Sequence, residues 1–93
     1  MAEVTMYTAQ GCNYCQRAEQ LLARKGVSPV VKIRVDISPD EMQTMIARSG
    51  RRTVPQIFIG THHVGGFDDL ASLEREGRLD DLLLAPGHDT PAN

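Results

Sequence analysis

The only two cysteines of this chain, Cys12 and Cys15, stand three residues apart at a point where one side-chain rhythm gives way to another. Before them, Val4, Met6 and Thr8 alternate with Thr5 and Tyr7, which predicts a strand over Glu3–Thr8. After them, Ala18, Leu21 and Leu22 recur at helical spacing, which predicts a helix over about Asn13–Lys25 with Gly26 as its stop. The thiols therefore fall at the carboxyl end of a strand and the amino end of a helix. Few folds accept a dithiol there, and the choice of chemistry narrows with the choice of fold.

The remaining pattern extends that unit. Val30, Val31, Ile33, Val35 and Ile37 form a β-branched second strand. Ser38-Pro39-Asp40-Glu41 reads as a capping box, with Ser38 as cap, proline at the first helical position and Glu41 able to reach back. Met42, Met45 and Ile46 make the apolar stripe of that helix, and Gly50 ends it. Gln56–Ile59 and His62–Val64 flank Gly60-Thr61, a two-residue hairpin signal. Leu70 and Leu73 mark a further helix ending at Gly77, and Leu79, Leu82 and Leu83 a last amphipathic turn or two. The order β-α-β-α-β-β-α implies a parallel pair with a right-handed crossover, then an antiparallel hairpin. The expected fold is α/β: a four-stranded mixed sheet with helices on both faces. A C-x-x-C beside a β-α-β unit reads as a thioredoxin-like redox motif.

The chain has 93 residues, which favours one domain, expected over 1–84. Residues 85–93 are Pro/Gly/polar and expected to be a flexible tail. A formal net charge of -2 with no basic stripe argues against nucleic-acid binding. No apolar run approaches a membrane span, and the first ten residues lack a signal-peptide pattern. The expectation is a soluble cytoplasmic monomer, in a compartment where a lasting structural disulfide is disfavoured. A zinc site would need two more ligands. His62 and His63, adjacent on a strand, point to opposite faces, and His88 is in the tail. The histidines read instead as caps of a solvated hairpin, and no metal site is expected from the chain alone. A redox catalyst remains. The thiolate is the attacking species, and a helix start favours an anion. Cys12, at or just before the first turn, is the expected exposed nucleophile, and Cys15, a turn further in, the resolving thiol.

Three segments in order, "CNYC", "TVPQIFIG" and "HVGGFDDL", resemble the dithiol glutaredoxins, above all the short bacterial kind of the thioredoxin superfamily. The resemblance runs from about Val4 to Leu84. It implies a glutathione-dependent thiol–disulfide oxidoreductase with glutathione as co-substrate. Its partners would be glutathionylated or disulfide-containing proteins. It also implies a groove for that tripeptide. Thr53, Val54 and Pro55 match the "TVP" segment, whose proline is cis in the family and whose valine backbone pairs with an extended peptide. Gly66, Phe67 and Asp68 match the helix start that takes the γ-glutamyl end, with Asp68 as the acid facing the amino group. Read without the family, Asp68 is a plain N-cap. Tyr14 matches the aromatic beside the bound thiol, and Arg51 a polar position at the glycyl carboxylate. Without the family, Arg48, Arg51 and Arg52 read as a solvated basic edge.

Three positions depart from the family pattern. Asn13 replaces the usual motif proline, restoring an N–H donor and freedom in φ. Ala9 stands where many relatives carry a cation, which leaves Arg51, with help from Arg52, to meet the carboxylate. Phe67 stands where many have a third cysteine. In some glutaredoxins a change at the motif proline permits a dimer around one [2Fe–2S] cluster, with Cys12 of each copy and two glutathiones as ligands. This cluster-binding dimer is the alternative function. A thioredoxin-like electron donor is a third reading. The absence of Trp and the "GGFDD" segment weigh against it.

Overall fold

A computed structural model describes residues 2–27 and 29–84. The expected tail, 85–93, lies outside the described residues. Four strands and four helices follow in the order β1 (Val4–Thr8), α1 (Asn13–Arg24), β2 (Val31–Arg34), α2 (Pro39–Ser49), β3 (Gln56–Ile59), β4 (His62–Gly65), α3 (Phe67–Arg75) and α4 (Leu79–Leu84). The sheet order is β2-β1-β3-β4. β1 and β2 run parallel, while β1/β3 and β3/β4 are antiparallel. This is the thioredoxin-like α/β arrangement expected from the sequence.

Strand alternation divides the interior in two. Val4, Met6, Ile57 and Ile59 face one side and pack with Ala18, Leu21 and Leu22 of α1, Leu70 of α3 and Leu79 and Leu83 of α4. Tyr7 and Phe58 face the other side and meet Met45 of α2 together with Val35. Each face of a strand is read out at period two, so a single stretch such as Met6-Tyr7 feeds both layers. Ser38 Oγ accepts the N–H of Glu41 at 3.3 Å, and Gly50 closes α2 in the left-handed region at φ 72°. Both ends of α2 thus follow from residues visible in the sequence.

Two expectations need adjusting. The second strand is shorter than the β-branched run. The ladder ends at Arg34, Val35 still donates to Thr8 O at 3.0 Å, and Ile37 is 70% exposed. Strand propensity continued, but past Val35 the turn into α2 leaves no partner strand. Arg48 is exposed, as a basic edge would be, but it is engaged with the rings beneath it. Its guanidinium lies 4.0 Å from the Phe58 ring centroid and donates to Tyr7 Oη at 2.9 Å, so it covers the smaller core. Stacking on an aromatic face suits arginine, whose planar group is weakly hydrated.

Leu22 is fully buried in the larger core. Leu22→Ala should cost about 2–5 kcal/mol in denaturant unfolding, whereas Val31→Ala, at 42% exposure on the edge strand, should stay within about 1 kcal/mol.

Candidate active site

Cys12 is the N-cap of α1. Its backbone is extended, at φ -86° and ψ 107°, and its sulfur accepts the N–H of Cys15 at 3.1 Å. The first turn of α1 carries no acidic residue, so nothing there opposes negative charge on that sulfur. Cys15 is 3% exposed and packs in the larger core, while Cys12 is half-buried. The two are joined as a disulfide with Cα atoms 5.2 Å apart. One sulfur is thus at the rim of the fold and its partner is behind it.

On one side of Cys12 opens a cavity of about 260 Å³. It is lined by Tyr14, Arg51, Thr53, Val54, Pro55, Gln56, Gly66, Phe67, Asp68 and Asp69. The eight residues that the resemblance assigns to the tripeptide come together in it, drawn from three separated segments. The Val54–Pro55 peptide is cis, and Val54 O stands 3.9 Å from Cys12 Sγ. The Tyr14 ring, 55% exposed, leans toward Phe67 with centroids 6.2 Å apart, and Arg17 lies 5.5 Å over it. These rings form the outer wall.

The far wall is the start of α3. Its N-cap is Gly66, not Asp68, which sits one position inside the first helical residue. Asp69 closes the cap by accepting the Gly66 N–H at 2.8 Å. The same Oδ2 takes Arg51 Nη1 at 3.0 Å. Gly65 lies at φ 116°, where a Cβ would stand 2.8 Å from Asp69 Cγ, so only glycine leaves room for this cap. Asp68 is exposed and pairs with no side chain among the described residues, which leaves its carboxylate open to the cavity. Arg52 is likewise exposed.

Gln56 and Asp69 are cavity residues that the sequence reading did not assign. Asp69 carried a signal: an acid three residues after a helix-starting glycine is the receiving half of a capping box. Gln56 carried a weaker one, a lone amide opening an otherwise apolar strand. His63 also departs from its expected place. Its ring stacks on Phe58 at 4.9 Å, and Nε2 lies 2.8 Å from Gln56 Oε1. His62 is exposed, in keeping with the opposite faces of adjacent strand residues. Beyond the cysteines, Ala9 leaves a second hollow of about 340 Å³. Lys32 and Arg34 line it, but Glu19 and Asp36 neutralise them at 2.8 Å and 2.6 Å.

Residues 4–64 match the family model described as Glutaredoxin. The glutaredoxin of Neisseria meningitidis is 54% identical over 83 residues, spanning 89% of this chain and 98% of its own. This chain belongs to the glutaredoxin family. The solution structure of a glutaredoxin from Brucella melitensis superposes with a TM-score of 0.78 at 54% identity, covering 89% of each chain. The crystal structure of a buckwheat glutaredoxin–glutathione complex superposes at 0.79 with 29% identity, covering 88% of this chain and 76% of that one. Glutaredoxins are glutathione-dependent thiol–disulfide oxidoreductases, and this member carries the dithiol form of their reactive pair. No helix among the described residues is long and apolar enough to cross a membrane.

The Gly66 N–H, then the Arg51 guanidinium, hold the Asp69 carboxyl below its ordinary value of 3.8. A lowered folded pKa contributes stability that is present above the unfolded value and lost as pH falls through the folded one. Asp69→Asn should therefore unfold more easily than wild type near neutrality. The gap should close as the pH drops below about 3.8, as denaturant midpoints across a pH series would report.

Proposed function

We propose that this glutaredoxin reduces protein–glutathione mixed disulfides through Cys12 alone, and protein disulfides through Cys12 and Cys15 together. One observation carries the reading: the Cys12 sulfur, held at a helix start by the Cys15 N–H, stands at the edge of a groove sized for a short peptide. In the first route the Cys12 thiolate attacks the glutathionyl sulfur. The Cys12–glutathione disulfide forms and the substrate leaves as a thiolate that takes up a proton. A second glutathione thiolate then attacks the glutathionyl sulfur, releasing glutathione disulfide and restoring the Cys12 thiolate. In the second route Cys15 resolves the mixed disulfide of Cys12 with the protein substrate, giving the Cys12–Cys15 bond that two glutathiones reopen.

The groove residues have distinct roles in this proposal. The Val54 backbone pairs with the tripeptide as an added strand, Thr53 and Pro55 fix that edge, and Tyr14 and Phe67 flank the bound sulfur. The α3 start, with Gly66, takes the γ-glutamyl carboxylate, and the open Asp68 carboxylate takes the amino group. Arg51 meets the glycyl carboxylate, for which it must turn from Asp69. Holding both sulfurs in line removes much of the orientational cost of exchange. The protein substrates are proposed to be glutathionylated or disulfide-bonded proteins of the cytoplasm, where reduced glutathione is abundant. The chain is proposed to act on them as a monomer, its one domain spanning 1–84. A [2Fe–2S] reading would draw on Cys12 of two copies and external thiolates. No feature of the groove favours that assembly over turnover.

In a glutathione-coupled assay, Cys12→Ser should abolish turnover of both substrate kinds. Cys15→Ser should retain deglutathionylation and lose protein-disulfide reduction; loss of both would refute the single-thiol route. Arg51→Ala should raise the KM for glutathione several-fold with Cys12 alkylation unchanged, and an unaltered KM would remove Arg51 from the groove's function.

A further inference from the structure

We propose that His63, acting through Gln56, aims the Val54 N–H into the groove, which makes His63 a positioning residue for the oxidoreductase. The inference rests on the tripeptide-groove reading above. Gln56 is 1% exposed, so its amide needs partners inside the protein. Its Nε2 donates to Thr53 O at 3.0 Å and to Thr53 Oγ1 at 3.3 Å. The nitrogen end is thereby engaged with Thr53, and Oε1 is left facing His63 Nε2 at 2.8 Å. An amide oxygen only accepts, so His63 must carry its hydrogen on Nε2.

The direction of Val54 follows from peptide geometry. Thr53 C=O and Val54 N–H belong to one planar unit, so anchoring the oxygen fixes where the hydrogen points. The carbonyl of the same Val54 stands 3.9 Å from the Cys12 sulfur. Anything that tilts the unit moves the edge on which an extended peptide would pair beside that sulfur. Gln56 sits at the wall of the cavity, yet its amide is spent inward, so its influence passes through Thr53.

The ring that starts the relay is itself held. His63 stacks on Phe58 at 4.9 Å, and Arg48 covers Phe58 at 4.0 Å. Burial, then the nearby Arg51 cation, pushes His63 below its ordinary value, which favours the neutral ring. In the neutral ring one nitrogen carries the hydrogen, and the contact with the Gln56 oxygen assigns it to Nε2.

Nitrogen NMR on the full wild-type chain at neutral pH should find His63 protonated on Nε2. The Nδ1 tautomer would overturn the proposal. Three variants then test function against a glutathionylated substrate. His63→Phe keeps the stack and removes the donor, while Gln56→Glu keeps the shape and leaves nothing to donate to Thr53. Both should raise KM about three- to tenfold, with kcat and the pH dependence of Cys12 alkylation little changed. His63→Gln returns an N–H close to the Nε2 position and should recover most of the loss. A wild-type KM in folded His63→Phe or in Gln56→Glu would overturn the proposal, as would a His63→Gln variant no better than His63→Phe. An inactive wild-type chain would instead defeat the function reading. The relay would still be judged on the tautomer and on the Val54 amide resonance, which should shift in Gln56→Glu relative to wild type; an unmoved resonance would overturn it.

Discussion

The short contact between the Cys15 N–H and the Cys12 sulfur depends on a strand ending where a helix begins, and the rest of the molecule is arranged to make that happen. A helix start offers several N–H groups without internal partners. Cys12 takes one of them because its own backbone is extended, just after the turn at Gln10-Gly11 that follows β1. β1 is central, paired on one side with β2 and on the other with β3, so its end cannot drift. α1 is pinned along the sheet by Ala18, Leu21 and Leu22, which fixes the direction in which its open end points. Buried carbon, rather than anything at the sulfur, supplies the rigidity the sulfur uses.

The groove beside it is a meeting of chain segments distant in sequence. The stretch 51–56 brings backbone, and the start of α3 brings N–H groups and carboxylates. Asp69 ties these together by accepting from Gly66 and from Arg51 on the same oxygen. On the opposite side of the sheet, Arg48, Tyr7, Phe58 and His63 form a layer that is partly polar yet well partnered. That layer reaches the groove through Gln56. The two faces of β3 therefore do different work: Ile57 and Ile59 anchor the larger core, while Gln56 and Phe58 connect the smaller one to the site.

Most of the architecture was legible because its signals are local. Period-two alternation in β1, helical spacing in α1, the Ser38 cap and the Gly60-Thr61 hairpin each arise within a few residues. The thiol pair was legible as well, through motifs carried in order along the chain, and the eight residues that the resemblance assigns to the tripeptide line one cavity. Much of what escaped reading was decided by contacts that exist only once the chain is folded. Arg48 looked like a surface cation because nothing nearby announces an aromatic ring beneath it. His63 looked like a hairpin residue because its acceptor is the Gln56 side chain on the neighbouring strand. The end of β2 was misread because β-branched residues report propensity, not whether a neighbouring strand remains to pair with. Asp68 was given the capping position that backbone geometry awards to Gly66.

The pairing of Arg51 with Asp69 bears on how long a guest stays. With 48% and 44% of their side chains exposed, the two ions hold each other only weakly, yet the arginine is already engaged. In the proposed groove, a carboxylate reaching Arg51 would swap one counterion for another, and its net gain would be the small difference between two similar attractions. On the proposed reading, such a groove would recognise its guest by shape and hydrogen bonding while gripping it loosely. For a catalyst whose spent product differs from its fuel by a single sulfur–sulfur bond, a loose grip means short residence and an early vacancy for the next turnover.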